Sequence, residues 1–122
     1  MVGIPALNPL RWSNEFVSNH VQKTIPLGTD INETVRKLEK HWKWEIKNVR
    51  DYGVLLGRGS PSRGSPEIHK NSKDKFIGEK SIEVSLGWYQ DILFGRYVNA
   101  FFIFDENDKL IDVVVWKESG AR

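Results

Sequence analysis

Arg96-Tyr-Val-Asn-Ala-Phe-Phe-Ile-Phe104, Asp105-Glu-Asn-Asp-Lys109, Leu110-Ile-Asp-Val-Val-Val-Trp116: two runs rich in β-branched and aromatic residues flank five polar ones. Such side chains suit a pleated backbone, and a short polar segment between two of these runs reads as the turn of a β-hairpin. The hairpin is apolar on both faces, so it is expected to sit centrally in a sheet with helices over one side. Just upstream, Ile82, Val84, Leu86 and Trp88 alternate with Ser81, Glu83, Ser85 and Gly87. That period of two describes a strand with one buried and one wet face.

The chain before residue 45 has a different period. Trp12, Phe16, His20 with Val21, and Thr24 recur at helical spacing, with Val17 widening the stripe. Asn8-Pro9 supplies a cap and a first-turn proline, which predicts a helix over 9–24. Pro26 ends it by pushing Ile25 out of the α region. Asp30 and Glu33 have capping-box spacing, and Ile31, Val35, Leu38 and Trp42 form the stripe of a second helix. Trp44 and Ile46 then share one face, and Tyr52, Val54 and Leu56 alternate, so 44–57 is expected to hold a strand with an irregularity near 48–51. Residues 57–80 repeat Gly-Ser-Pro at 59–61 and 64–66 and then stay polar, which excludes a helix or central strand. A loop of this length is either a mobile linker or a partner-contacting segment.

These elements predict an α+β fold: two N-terminal helices packed on a four-stranded antiparallel meander sheet. Residues 1–8 form an irregular arm, 9–119 a single domain with its long loop at 57–80, and 120–122 a frayed end. Phe16, Val35, Leu38, Trp42, Trp88 and Phe102 are the expected core.

With 122 residues, 39% hydrophobic and 28% charged, the chain can bury a core without staples. It has no Cys, which removes disulfides, thiolate nucleophiles and zinc–thiolate sites. Charge is uneven: residues 36–80 carry 12 basic and 6 acidic side chains, residues 81–122 carry 4 and 7. No apolar run approaches the length of a membrane span, and the first ten residues, broken by Pro5 and Pro9, do not read as a signal peptide. As written the chain is expected in the cytoplasm, and it would be exported if a native leader precedes the residues given.

Leu27-Gly-Thr-Asp-Ile-Asn-Glu-Thr-Val-Arg-Lys-Leu38 resembles the opening of the second helix in the outer-membrane assembly lipoprotein family BamE, also called SmpA or OmlA. Tyr97 to Val115, with Phe-Asp-x-x-x-Lys-Leu in its turn, is similar to that family's final hairpin. The β-lactamase-inhibitor-like domains share the layout. The chain differs in having Asp108 where the hairpin often has Gly, no lipobox cysteine, and His41-Trp-Lys-Trp44 where Gly-x-Pro usually closes the helix. The resemblance implies a non-catalytic domain that binds proteins through sheet or loop surfaces.

The residues offer little chemistry. His20, His41 and His69 have no metal-ligand spacing, and no dinucleotide or phosphate-loop motif is present. Asp105, Asn107 and Lys109 begin a calcium-loop pattern and break it. Glu83 and Asp112 would make a carboxylate pair for a small hydrolase if their strands were neighbours. The basic middle, with Trp44 and Tyr52 in it, gives single-stranded nucleic acid as an alternative, which nearby acids and the low net charge disfavour. The expectation is therefore a protein-binding domain, envelope-associated or of the small inhibitor and immunity type. It needs no cofactor or metal, and Arg58, Arg63, Lys70, Lys73 and Tyr52 would face an acidic partner surface.

Overall fold

The computed structural model describes residues 13–41, 43–55, 76–90 and 95–119. Helices α1 (Asn14–Thr24) and α2 (Ile31–Lys40) precede strands β1 (Glu45–Arg50), β2 (Val54–Leu55), β3 (Phe76–Ile77), β4 (Lys80–Gln90), β5 (Gly95–Phe104) and β6 (Leu110–Ser119). β1, β4, β5 and β6 form one antiparallel sheet in that order, and β2 pairs with β3 in a separate two-stranded ladder. The α+β architecture and the four-stranded meander are those read from the sequence. β5 is central as expected; its hairpin partner β6 lies at the sheet edge.

The helices cover one face of the sheet. Val17, Val21, Ile25 and Leu38 pack there with Ile82, Val84, Leu86, Val98, Ala100, Phe102, Phe104, Leu110, Val113 and Val115. Removing this much apolar surface from water is the main source of stability. The other face carries a smaller cluster, in which Phe101, Ile103 and Trp116 meet Val54 and Ile77 of the ladder. The apolar character of both hairpin faces thus has two causes: helices on one side, the ladder on the other. Phe76–Ile77 falls within the stretch 57–80 read as one loop, and its pairing with Val54–Leu55, together with the start of β4 at Lys80, corrects that boundary; residues 57–75 lie outside the described residues. The ladder closes tightly, since a Cβ added to Gly53 would stand 2.0 Å from the Ile77 carbonyl oxygen.

α1 departs from its expected start and face. Ser13 is extended, and its hydroxyl accepts the Phe16 amide at 3.1 Å, so the helix begins at Asn14; Asn8-Pro9 lies outside the described residues. Its buried side chains are Val17, Ser18 and Val21, followed by Ile25 at the cap. Phe16, expected in the core, is 53% exposed. Two apolar stripes one residue apart compete on this helix. The Val17 stripe wins because it seats the Ser18 hydroxyl on the Val113 carbonyl at 2.6 Å and lays the helix along β6.

α2 starts as expected. Asp30 caps it by accepting the Asn32 amide at 2.9 Å. Glu33 does not complete a capping box and pairs with Arg36 instead. Leu38 and Thr34 are buried, the Thr34 hydroxyl donating to the Asp30 carbonyl, and Ile31 and Val35 pack at the edge of the core. Trp42 lies outside the described residues.

Trp88 also departs from its expected place. Ser85 pairs with Asn99 and Gly87 with Val98, leaving Leu86 as the extra residue of a bulge at which Gly87 takes φ 126°. The bulge inverts the alternation, so Trp88 joins Tyr97 on the face opposite the helices and is 55% exposed. No described helix is long and apolar enough to cross a membrane.

Candidate functional site

The chain turns sharply at two places along one end of the sheet. At the β5–β6 turn, Asp105 Oδ1 accepts the amides of Asn107 and Lys109, and Asp108 adopts φ 63°. This left-handed conformation suits Gly best and is tolerated by Asp. The turn holds the helix linker: Ile31 donates its amide to the Asp108 carbonyl, Leu110 to Thr29, and Gly28 to Leu110, at 2.7 to 2.9 Å. Lys80 Nζ pairs with Asp108 Oδ1 at 2.7 Å, and Lys109 with Asp30 at 3.7 Å. The α1–α2 linker and the β5–β6 turn therefore dock on one another.

At the end of β1 the chain bends through Asp51-Tyr-Gly53. Arg50 turns inward there and is 5% exposed. Its Nε donates to Ser81 Oγ at 3.0 Å, Ser81 Oγ donates to the Tyr52 carbonyl, and the guanidinium lies 4.7 Å from the Tyr52 ring centre and 4.4 Å from that of Phe101. An arginine so enclosed positions Tyr52 rather than reaching solvent.

Between these corners runs an open groove of about 750 Å³. Ile31, Asn32 and Val35 of α2 form one wall, and Asn48, Val49 and Arg50 of β1 the other; Asp51 and Tyr52 stand at one end, and the Lys80–Asp108 pair closes the lining. Val49 is 59% exposed, an apolar side chain presented within the groove. A bulge between Ile46 and Asn48 shapes the β1 wall. The groove thus combines aliphatic side chains with amide, phenol and ion-pair groups whose positions are fixed by the fold.

Of the expected partner-binding residues, Tyr52 lines this groove, while Arg58, Arg63, Lys70 and Lys73 lie outside the described residues. Sequence reasoning missed Val49, Lys80 and Asp108, which come from three separate stretches. The only local signal was Val49 itself, an aliphatic residue in a polar strand.

The proposed carboxylate pair is not assembled, because β5 runs between the strands of Glu83 and Asp112. Among the described residues no group of three or more His, Asp or Glu side chains is placed to hold a metal. His20 is exposed and His69 lies outside the described residues. His41 ends α2 and stacks on Trp44 at 3.7 Å between ring centres. Burial, and secondarily the Lys43 ammonium, hold its imidazole below the ordinary value of 6.5.

No family model, curated protein or solved structure matches the chain.

Proposed function

We propose that the protein is a non-catalytic protein-binding domain that holds an extended segment of its partner in the α2–β1 groove. The observation that carries this reading is the groove itself: exposed Val49 beside Ile31 and Val35, rimmed by Asn32, Asn48, Tyr52 and the Lys80–Asp108 pair. Apolar anchors within a rim of fixed polar groups suit a peptide, whose side chains and backbone need both. The chain between Leu55 and Phe76 departs just after Tyr52 and carries Arg58, Arg63, Lys70, Lys73 and Lys75 against Glu67 and Asp74. These cations would steer an acidic partner surface towards the groove. The resemblance to the BamE and β-lactamase-inhibitor-like domains supports the same class of function and leaves both the envelope-associated and the inhibitor or immunity role in view.

Single-stranded nucleic acid has one observation in its favour, the neighbouring Trp88 and Tyr97 on the sheet face. The formal net charge of only +2 disfavours it, because affinity for a phosphate backbone comes from many cations acting together. Selection of a random displayed peptide library tests the protein-binding reading. The expected outcome is enrichment of sequences joining aliphatic to acidic residues. Enrichment of none, together with tight binding of an oligonucleotide at about 150 mM salt, would give the function to nucleic acid.

A further inference from the structure

We infer that the partner's segment binds in the α2–β1 groove by adding a strand to the free edge of β1, with every second side chain aliphatic and turned towards α2. The inference rests on the groove being a peptide site, as proposed above, and specifies how that peptide is held.

β1 stands at one edge of the sheet, and β4 is its strand partner among the described residues. Neighbouring residues of a strand point to opposite faces. Val49 pairs with Ile82 of the helix-side core, whereas the Arg50 guanidinium lies over Phe101 on the other face. Yet Asn48, Val49 and Arg50 all line the groove. A surface that reaches three consecutive strand residues follows the edge of the strand rather than either face. β4 occupies the inner edge, so the groove runs along the outer one.

Exposure separates this edge from the opposite one. Lys47, Asn48 and Val49 are exposed in succession, while between Leu110 and Glu118 of β6 the exposed residue is Ile111, with α1 packed along that strand. Edge strands are commonly guarded by bulges and charges. In β1 those guards sit in the first half: the bulge falls between Ile46 and Asn48, and Lys47 pairs with Glu45 at 3.8 Å. From Asn48 to Arg50 the pairing with β4 is regular, and this unguarded half is the one that lines the groove.

The edge selects its guest by chemistry. A strand edge offers backbone N–H and C=O groups at a two-residue repeat, and another extended backbone meets them in register. Side chains of an added strand alternate between faces. Those on the α2 side would meet Val49, Ile31 and Val35, which suits aliphatic residues. Those between would stand on the side of Asn48, which suits polar ones.

The test uses a peptide enriched from the displayed library, remade with N-methyl groups on every second amide in either of the two phases, and amide hydrogen exchange of the full chain. Enriched sequences should repeat aliphatic residues at every second position. N-methylation in the phase that faces β1 should weaken binding at least about tenfold, and in the other phase less than about twofold. The unmethylated peptide should slow exchange of at least one amide among Asn48, Val49 and Arg50 by about tenfold or more. Equal effects of the two phases, with amide shifts still confined to the groove, overturn the added strand and leave the groove reading intact. Enrichment of no peptide removes both. Aliphatic residues enriched at spacings of three and four describe a bound helix and overturn the inference. A parent that self-associates and protects the same amides without peptide gives the edge to a second copy and likewise overturns it.

Discussion

The carbonyl of Asp108 accepts the amide of Ile31 at 2.8 Å, so the β5–β6 turn and the first residue of α2 are one structural unit. Asp108 makes that contact from φ 63°, and its carboxylate reaches Lys80 from the same position. One residue therefore sets both the helix position and one margin of the groove.

Substitutions at Asp108 should separate backbone from side-chain effects. Asp108→Gly relieves the left-handed conformation but loses a half-exposed ion pair, so its stability should stay within about 1 kcal/mol of the parent. Asp108→Val keeps neither benefit and should cost roughly 1–3 kcal/mol. Urea unfolding checks both. A Val variant as stable as the Gly variant would show that the turn is not held left-handed.

The face of α1 is tested by two truncations. Val21→Ala removes a fully buried side chain and should cost about 1.5 kcal/mol or more. Phe16→Ala acts at an exposed position and should stay within about 0.5 kcal/mol. The reverse order would mean that α1 packs on its Phe16 stripe. Leu38→Ala, at the base of α2, should cost roughly 2–5 kcal/mol.

Gly53→Ala tests the ladder over the second core. Its Cβ has no room beside the Ile77 and Gly78 carbonyl oxygens, so the β2–β3 pairing must open. A loss of at least about 2 kcal/mol is expected, with Trp116 fluorescence shifted to longer wavelength as its cover is lost. A variant with parental stability and spectrum would contradict the ladder.

His41 gives a pH signature. Its imidazole is held below 6.5 in the folded protein, by burial first and by Lys43 second. The unfolded chain therefore takes the proton at higher pH than the folded one. The stability that His41 contributes is complete above the unfolded value and is lost as pH falls through the folded one. Nuclear magnetic resonance should give His41 a midpoint below 6.5. Replacing it in His41→Gln should lessen the fall in melting temperature between about pH 7 and pH 5.5. A midpoint at or above the ordinary value would contradict the stack on Trp44.

Local pattern made the hairpin, the alternation from Ile82 to Leu86 and the Asp30 cap legible in the sequence, because each depends on neighbours within a few residues. Three features depended on distant ones. Phe16 and Val17 begin equally plausible stripes, and the choice rests on Ser18 meeting Val113. Trp88 continues the strand alternation on paper, but one extra residue in the pairing with β5 reverses it. Phe76–Ile77 is too short a run to stand out, and becomes a strand by meeting Val54–Leu55. The groove was legible only at Tyr52, since its walls join through pairing between stretches far apart in the chain.

Peptide binding in the groove is tested most directly by mapping amide shifts in the parent and in Val49→Asp, using a peptide enriched from the displayed library. Val49 is exposed, so the substitution should leave folding within about 0.5 kcal/mol of the parent. The expected result is a set of shifts confined to Ile31–Val35, Asn48–Tyr52, Lys80 and Asp108, and an affinity at least about tenfold weaker in Val49→Asp, where a buried carboxylate would replace an apolar contact. Shifts centred elsewhere, or an unchanged affinity in the variant, would contradict binding in the α2–β1 groove.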